Sequence, residues 1–186
     1  MWVTADAVGT VQSLYAENSP GLSDTGAITM SITATGAIDF GMIGVANLTT
    51  APGVVQAGGP VHIAVTHSVG GGNNALTLSN GVEVVSGNLP EATAFENVLI
   101  GDDGFGSPFA GEISELRQWD IARSNGDIQD NFDNQLLGDE AGLIAYYTFN
   151  EANGDDVIDR TGNGNDLGDG GFGIPRTRSD APISVN

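Results

Sequence analysis

Hard oxygen donors crowd the stretch from Gly142 to Gly171, GLIAYYTFNEANGDDVIDRTGNGNDLGDGG. Glu151, Asp155, Asp156, Asp159, Asn163, Asn165, Asp166 and Asp169 can present carboxylate or carboxamide oxygens, the donors that Ca²⁺ takes. Gly154, Gly162, Gly164 and Gly168 lie among them and admit the tight turns that let several oxygens reach one ion. Arg160 is the one cation in the stretch. The chemistry expected here is calcium coordination, with those acids and asparagines as ligands.

A second loop, Asp102-Asp103-Gly104-Phe105-Gly106, sets two carboxylates side by side. Adjacent carboxylates repel unless a cation or solvent separates them. Asp102 and Asp103 are therefore expected to hold a cation too, so that several Ca²⁺ ions are bound in all. Gly162-Asn163-Gly164-Asn165-Asp166-Leu167 resembles one unit of the calcium-binding nonapeptide repeat, and Gly170-Gly171-Phe172-Gly173 resembles the opening of another. The second lacks its acid, because Pro175 stands there. A calcium β-roll needs stacked copies, so a single unit points to a calcium turn within a different fold.

Other chemistries fit the residues less well. Glu112-Ile113-Ser114-Glu115 invites comparison with the paired-acid strand of glucanases, which need two carboxyls about 5 to 5.5 Å apart. On a regular strand Glu112 and Glu115 point to opposite faces, and only a bulge could join them. His62 and His67 also fall on opposite faces of one strand, so they make no local metal pair. Asn47-Leu48-Thr49 fits a glycosylation triplet, but such triplets occur by chance and a bacterial source would make it idle. With no lysine in the chain, the usual phosphate loop is impossible.

Strands must carry these loops. Leu143 to Phe149 alternates Leu143, Ala145, Tyr147 and Phe149 with Ile144, Tyr146 and Thr148, covering both faces as a strand inside a sandwich must, and Asn150 ends it. Pro60 to His67 is a second strong strand. Ala27–Ile32 and Ala37–Ile43 form a hairpin around Ala34, Thr35 and Gly36, and Ala75–Leu78 and Val82–Val85 another around Ser79-Asn80-Gly81. Two short runs between Trp2 and Tyr15, Val98 to Gly101, and Phe109 to Asp120 supply further strands. Glu17, Asp24 and Asp39 read as solvated strand or turn acids. One helix opens at Ser124, its N-cap, with Asp127 at the third position and Ile128, Phe132 and Leu136 as an apolar stripe. The tail from Phe172 to Asn186 wraps over the sheet or supplies an edge strand. Short alternating strands, glycine turns and one late helix predict an all-β antiparallel jelly-roll sandwich with one short helix.

Composition narrows the partners. The chain has 186 residues, 40% of them hydrophobic, enough for one domain of the larger all-β kind spanning residues 1–186. Five arginines against 24 acids leave a net charge of −19, which repels phosphate backbones and excludes nucleic acid as the expected partner. There is no cysteine, hence no disulfide and no thiolate metal site. No apolar run approaches a membrane span and no signal peptide precedes Trp2, so the chain reads as a piece of something longer.

The strand FAGEISELRQW (Phe109–Trp119) and the element GLIAYYTFNE…DRTGNGND (Gly142–Asp166), with the preceding runs VHIAVT, SNGV and LIG, resemble the laminin-G-like, concanavalin A-like jelly-roll family related to the pentraxins. The likeness spans most of Trp2 to Leu167. It departs from the family at Ser114-Glu115, where Asp-Glu is common. The acidity, the lack of lysine and cysteine, and the acid-rich loops are similar to ligand-binding domains of bacterial repeats-in-toxin adhesins. This resemblance implies a non-enzymatic, calcium-dependent recognition domain at the bacterial cell surface, monomeric when isolated and part of a longer multidomain chain. Its implied partner is the free C-terminal carboxylate of a peptide or protein, with Arg160, Arg176 and Arg178 as candidate contacts. A cell-surface glycan is the alternative, because vicinal hydroxyls can complete a calcium shell as a carboxylate can.

Overall fold

The computed structural model describes residues 1–18, 25–68, 74–78, 81–90, 97–151 and 157–168. Two five-stranded antiparallel sheets face each other. The first has the order β10 (Gly111–Ser114), β1 (Trp2–Ala5), β6 (Pro60–Thr66), β7 (Asn74–Leu78) and β8 (Val82–Gly87). The second runs β5 (Ala46–Thr49), β4 (Ile38–Met42), β3 (Ile28–Ile32), β2 (Gln12–Asn18) and β9 (Asn97–Ile100). A separate pair joins β11 (Leu116–Trp119) to β12 (Leu143–Tyr147). This is the all-β sandwich that the alternating runs predict.

Period-two alternation decides what faces inward. Val3, Val61 and Ile63 from the first sheet meet Leu14, Met30, Ile32, Ile38 and Phe40 from the second, and Leu116, Ala145 and Tyr147 close one end of the same core. The partner residues of β3 and β4, among them Thr29, Ser31 and Asp39, thereby turn outward. In the β3–β4 turn Gly36 takes a φ of 74°, and a Cβ there would stand 2.4 Å from the Val55 carbonyl oxygen, so the tight turn needs glycine. The strands β7 and β8 pair as the expected hairpin, with a register shift between Leu76 and Thr77, and Ser79 and Asn80 of their turn lie outside the described residues.

Three expectations change. The run Phe109–Asp120 is not one strand: Glu115 adopts φ 53°, so β10 stays in the first sheet while β11 pairs with β12. The closing strand stops at Tyr147, because Phe149 takes φ 59° and turns the chain away. The helix α1 (Asn125–Asn131) has the expected capping box between Ser124 and Asp127, yet it ends with Phe132 as C-cap, so Leu136 lies beyond it. Its contact with the sandwich is an aromatic cluster: Phe132 lies 5.9 Å from Trp2 and 5.6 Å from His62. His62 is buried there, and burial pushes its imidazole down to about 2, which marks it as a neutral structural residue. The strand β5 has no counterpart among the expected strands. Among the described residues no helix is long and apolar enough to cross a membrane. The expected edge role of the tail, residues 172–186, lies outside the described residues.

Candidate functional site

The outward face of the β2–β5 sheet carries a polar row built by strand register. Ser13 pairs with Ser31, Ser31 with Asp39, and Asp39 with Thr49, so four polar side chains line up across four strands. The neighbouring row sets Ala16, Thr29, Gly41 and Asn47 side by side. Asp39 is the hub: Asn47 Nδ2 donates to its Oδ2 at 2.7 Å and Thr49 Oγ1 donates to its Oδ1. Gly41 lets the Asn47 carboxamide lie flat against the sheet, since a Cβ there would sit 2.3 Å from Asn47 Oδ1.

The loop after β9 closes one side of this face. A hollow of about 200 Å³ is bounded by Val11, Ser13, Thr29, Ser31, Asp103 and Phe105, with Phe105 57% exposed on its rim. Loop and sheet are tied together by the Ser13 N–H donating to the Ser107 carbonyl at 2.8 Å. Within the loop, Asp102 Oδ1 accepts from the N–H groups of Asp103 (2.7 Å) and Gly104 (3.0 Å). Asp103 Oδ1 accepts from those of Phe105 (2.7 Å) and Ser107 (3.3 Å). Backbone donors thus stabilise the paired charges through one oxygen each. The Oδ2 of each takes no hydrogen bond from the described residues.

These two oxygens suit Ca²⁺ in kind, but a calcium shell takes about six to eight oxygens. Among the described residues no group of three or more acids or histidines converges as a metal cluster would. Asp102 and Asp103 could therefore hold one side of an ion, and the remaining ligands must come from elsewhere.

The loop between residues 157 and 168 is built differently. Asp159 is 4% exposed, and both its oxygens are occupied. Oδ1 accepts from the N–H groups of Tyr146 (3.1 Å) and Thr161 (3.0 Å), Oδ2 from that of Asn165 (3.3 Å), and the Thr161 hydroxyl lies 2.8 Å from each. Burial opposes its charge, but these donors, led by Thr161, outweigh burial and hold the carboxyl below the usual range. Asp166 Oδ1 accepts from the Asp159 N–H at 2.8 Å. Asn163 and Asn165 both donate through Nδ2 to the Ile144 carbonyl, at 3.1 and 2.9 Å. The Tyr147 hydroxyl donates to the Asn165 carbonyl at 2.6 Å, and burial, aided by the charges of Asp159 and Asp166, pushes that hydroxyl up to about 12. The loop is a strap fastened to β12 by its own acids and amides. Arg160 reaches Asn150 Oδ1 at 3.1 Å and Glu151 Oε1 at 3.4 Å, so it braces the end of β12. Asp155, Asp156, Asp169, Arg176 and Arg178 lie outside the described residues.

The two glutamates of the glucanase comparison are set to different tasks. Glu112 is exposed on β10, opposite Thr4. Glu115, 8% exposed, accepts from the Tyr146 hydroxyl at 2.6 Å and from Arg117 Nη2 at 3.0 Å. Sequence reasoning passed over the polar row because it took Asp39 for a solvated acid and saw Asn47-Leu48-Thr49 only as a triplet. The signal was present: Thr29, Ser31 and Asp39 alternate with Ile28, Met30, Ile32, Ile38 and Phe40, which marks one solvent-facing surface.

Proteins of known structure share this architecture. A candidate carbohydrate-binding protein from Bacteroides ovatus aligns over 100% of this chain with a TM-score of 0.74 and 21% identity. The chain spans 54% of that protein's length. The CBM40 domain of the Ruminococcus gnavus IT-sialidase, solved with α2,3-sialyllactose, gives a TM-score of 0.57 at 18% identity over 69% of this chain and 78% of its own. The SAP-like pentraxin of Limulus polyphemus gives 0.54 at 17% identity, over 69% and 65%. No curated protein matches in sequence. A family profile described as the concanavalin A-like lectin/glucanases superfamily matches residues 1–129, more than half of the chain and including both sheets, so the chain belongs to that superfamily.

Proposed function

We propose that this domain is a carbohydrate-binding, lectin-like module that holds a neutral glycan on the outward face of the β2–β5 sheet. The observation that carries the reading is the row Ser31, Asp39 and Thr49 beside the exposed Phe105, with Ser13, 2% exposed, forming the buried end of the row. Sugar hydroxyls are donors and acceptors at once, and this row offers both, with an acceptor carboxylate at its centre. An exposed aromatic at the rim adds an apolar platform for the face of a sugar ring. The similarity to the candidate carbohydrate-binding protein of Bacteroides ovatus and to the CBM40 domain solved with sialyllactose supports carbohydrate as the class of ligand.

Charge selects among glycans and against the peptide reading. Glu17 and Asp103 line the hollow, Asp39 lies in the row beside it, and among the described residues no arginine or histidine lines the hollow, so an anionic ligand meets repulsion. A peptide carboxylate, the partner implied by the adhesin resemblance, needs a cationic contact, and Arg160 is engaged with Glu151, Asn150 and Thr148. Ca²⁺ belongs to the proposal at Asp102 and Asp103, which would hold it beside the hollow and let it lend a Lewis-acidic contact to sugar oxygens. The module binds without hydrolysing, since Glu115 is committed to Arg117 and Tyr146, and it works at the surface of a bacterium as part of an adhesin.

Titration against a panel of neutral and sialylated glycans tests the reading. The neutral class should bind, and Phe105→Ala and Asp39→Ala should each weaken binding at least about tenfold, the size of a 1.4 kcal/mol loss. Preferential binding of a peptide free acid over its amide, with no glycan bound, overturns it in favour of carboxylate capture. β-Glucan hydrolysis lost in Glu115→Gln overturns the non-enzymatic part.

Calcium has its own expected result. At a free concentration about a hundred times its dissociation constant, Ca²⁺ should add roughly 2.7 kcal/mol of stability. The melting temperature should then fall when a chelator is added, and Asp102→Asn with Asp103→Asn should abolish that response. An unchanged melting temperature removes calcium from the proposal.

A further inference from the structure

We propose that Asn163-Gly164, in the strap fastened to β12, is a self-modification site where the Asn163 carboxamide is lost as ammonia and the backbone is rerouted through an isoaspartyl link. The chain has four Asn-Gly pairs, beginning at Asn80, Asn125, Asn153 and Asn163, and Asn80 and Asn153 lie outside the described residues. At Asn163 the fold leaves the reacting atoms open. Asn163 and Gly164 are both exposed, and among the described residues the Gly164 N–H donates no hydrogen bond. Gly164 takes φ 84°, and a Cβ built there meets nothing within 4 Å, so its nitrogen is uncrowded.

The step needs only water. The Gly164 nitrogen, giving its proton to hydroxide or another base, bonds to Asn163 Cγ and closes a cyclic imide. The Cγ–Nδ2 bond breaks, and Nδ2 leaves as ammonia after taking a proton from water. Water then adds to one imide carbonyl and opens the ring: cleavage at Cγ gives aspartate, cleavage at the main-chain carbonyl gives isoaspartate. Nothing is oxidised or reduced, and the balance is carboxamide plus water giving carboxyl plus ammonia. Closure requires Asn163 Nδ2 to leave the Ile144 carbonyl, to which it donates at 3.1 Å. Asn165 Nδ2 donates to the same oxygen at 2.9 Å, so the carbonyl keeps a donor and the release strands no acceptor.

Two comparable pairs are held back. Asn125 opens α1 with Gly126 inside it, so ring closure there must first undo helical dihedrals fixed by the capping box. Asn125 Nδ2 also donates to Glu83 Oε2 at 3.1 Å. In Asp103-Gly104 the Gly104 N–H donates to Asp102 Oδ1 at 3.0 Å and is not free to attack. Conversion at Asn163 removes one of the two amide donors to Ile144 and adds a negative charge to a chain of net charge −19. The isoaspartyl form also lengthens the main chain by a carbon just before Asn165, whose N–H donates to Asp159 Oδ2 at 3.3 Å and whose carbonyl accepts from the Tyr147 hydroxyl at 2.6 Å. The inserted carbon displaces these ties, so the modification loosens the strap from β12, in one direction only. The outward face assigned to glycan takes no part, and the two proposals are tested separately.

The full chain is incubated in mildly alkaline buffer, both folded and in denaturant, and each Asn-Gly pair is followed by peptide mass mapping with isoaspartyl methyltransferase labelling. An exposed loop opens at almost no cost, so Asn163 in the folded chain should convert within about threefold of its rate in denaturant, while Asn125 falls at least about tenfold below its own. Converted protein, separated by its added charge, should show amide hydrogen exchange at Asn165 quickened at least about tenfold. Asn163→Gln keeps a carboxamide but must close a larger ring, and should remove the signal from this position. Four results overturn the proposal: Asn163 protected by folding as strongly as Asn125, conversion confined to Asn80 or Asn153, a signal from this position that persists in Asn163→Gln, or converted protein with Asn165 exchange unchanged.

Discussion

Glu115→Ala should lower stability by about 3 to 5 kcal/mol, the usual consequence of stranding one partner of a buried ion pair. Side-chain exposures of 9% for Arg117 and 11% for Glu115 place this pair in the interior, and their separation is 3.0 Å. Removing the carboxylate leaves the guanidinium without its counter-charge and the Tyr146 hydroxyl without its acceptor. For a chain of this length the melting temperature should fall by roughly 10 °C. Glu115→Gln keeps an acceptor oxygen for Tyr146 and should cost less. Glu115→Gly should lose about 1 kcal/mol less than the alanine variant, because the φ of 53° is a conformation that glycine adopts without penalty. Urea unfolding of the three variants checks the order, and a loss below about 1 kcal/mol in Glu115→Ala would sink this account.

The same pair explains why the sequence strand broke where it did. Arg117 also donates through Nη1 to the Asn131 carbonyl at 2.7 Å and through Nη2 to the Asn134 carbonyl. The helix α1 has no basic residue in its last turn, so a strand residue supplies the positive charge its C-terminal end favours. The kink at Glu115 carries the chain from β10 into β11, where Arg117 makes these contacts. Nothing in the alternation FAGEISELRQW announces that change. Periodicity reports which residues face a core, and a left-handed residue that sends a strand to another sheet leaves the pattern intact.

Sheets and hairpins were legible because each rests on local signals: alternation in AITMSI and AIDFGMI, glycine at the turns, a capping box at Ser124. The site was legible only in part, because an oxygen donor in a loop can serve a cation or the backbone equally well. In the Asp102–Asp103 loop, backbone N–H groups claim only Oδ1 of each acid. In the Asp159 loop they claim both oxygens of that acid, while the carboxamides of Asn163 and Asn165 donate through Nδ2 to the Ile144 carbonyl. The polar row across β2 to β5 depends on long-range register, which no local pattern encodes.

Asp159→Ala should therefore cost about 2 to 4 kcal/mol whether or not calcium is present. The Tyr146 N–H, inside β12, loses its acceptor in a place water does not reach, and a buried unsatisfied donor costs about 1 to 3 kcal/mol. The N–H groups of Thr161 and Asn165 lose theirs too, which releases the strap from β12, though water can replace part of that. The pH dependence has a definite sign. A carboxyl held below its unfolded value of about 3.9 contributes fully above that value, and the contribution drains away as pH falls through the folded value. Wild type should lose this share of stability in acid while Asp159→Ala has none to lose. The gap between them, measured by urea unfolding, should be widest near neutral pH and narrow as pH falls below about 4. If Asp159 were instead a calcium ligand, the gap at neutral pH would shrink on adding chelator. Equal gaps with calcium and with chelator, closing in acid, are the result expected of an aspartate whose oxygens are filled by the chain's own donors.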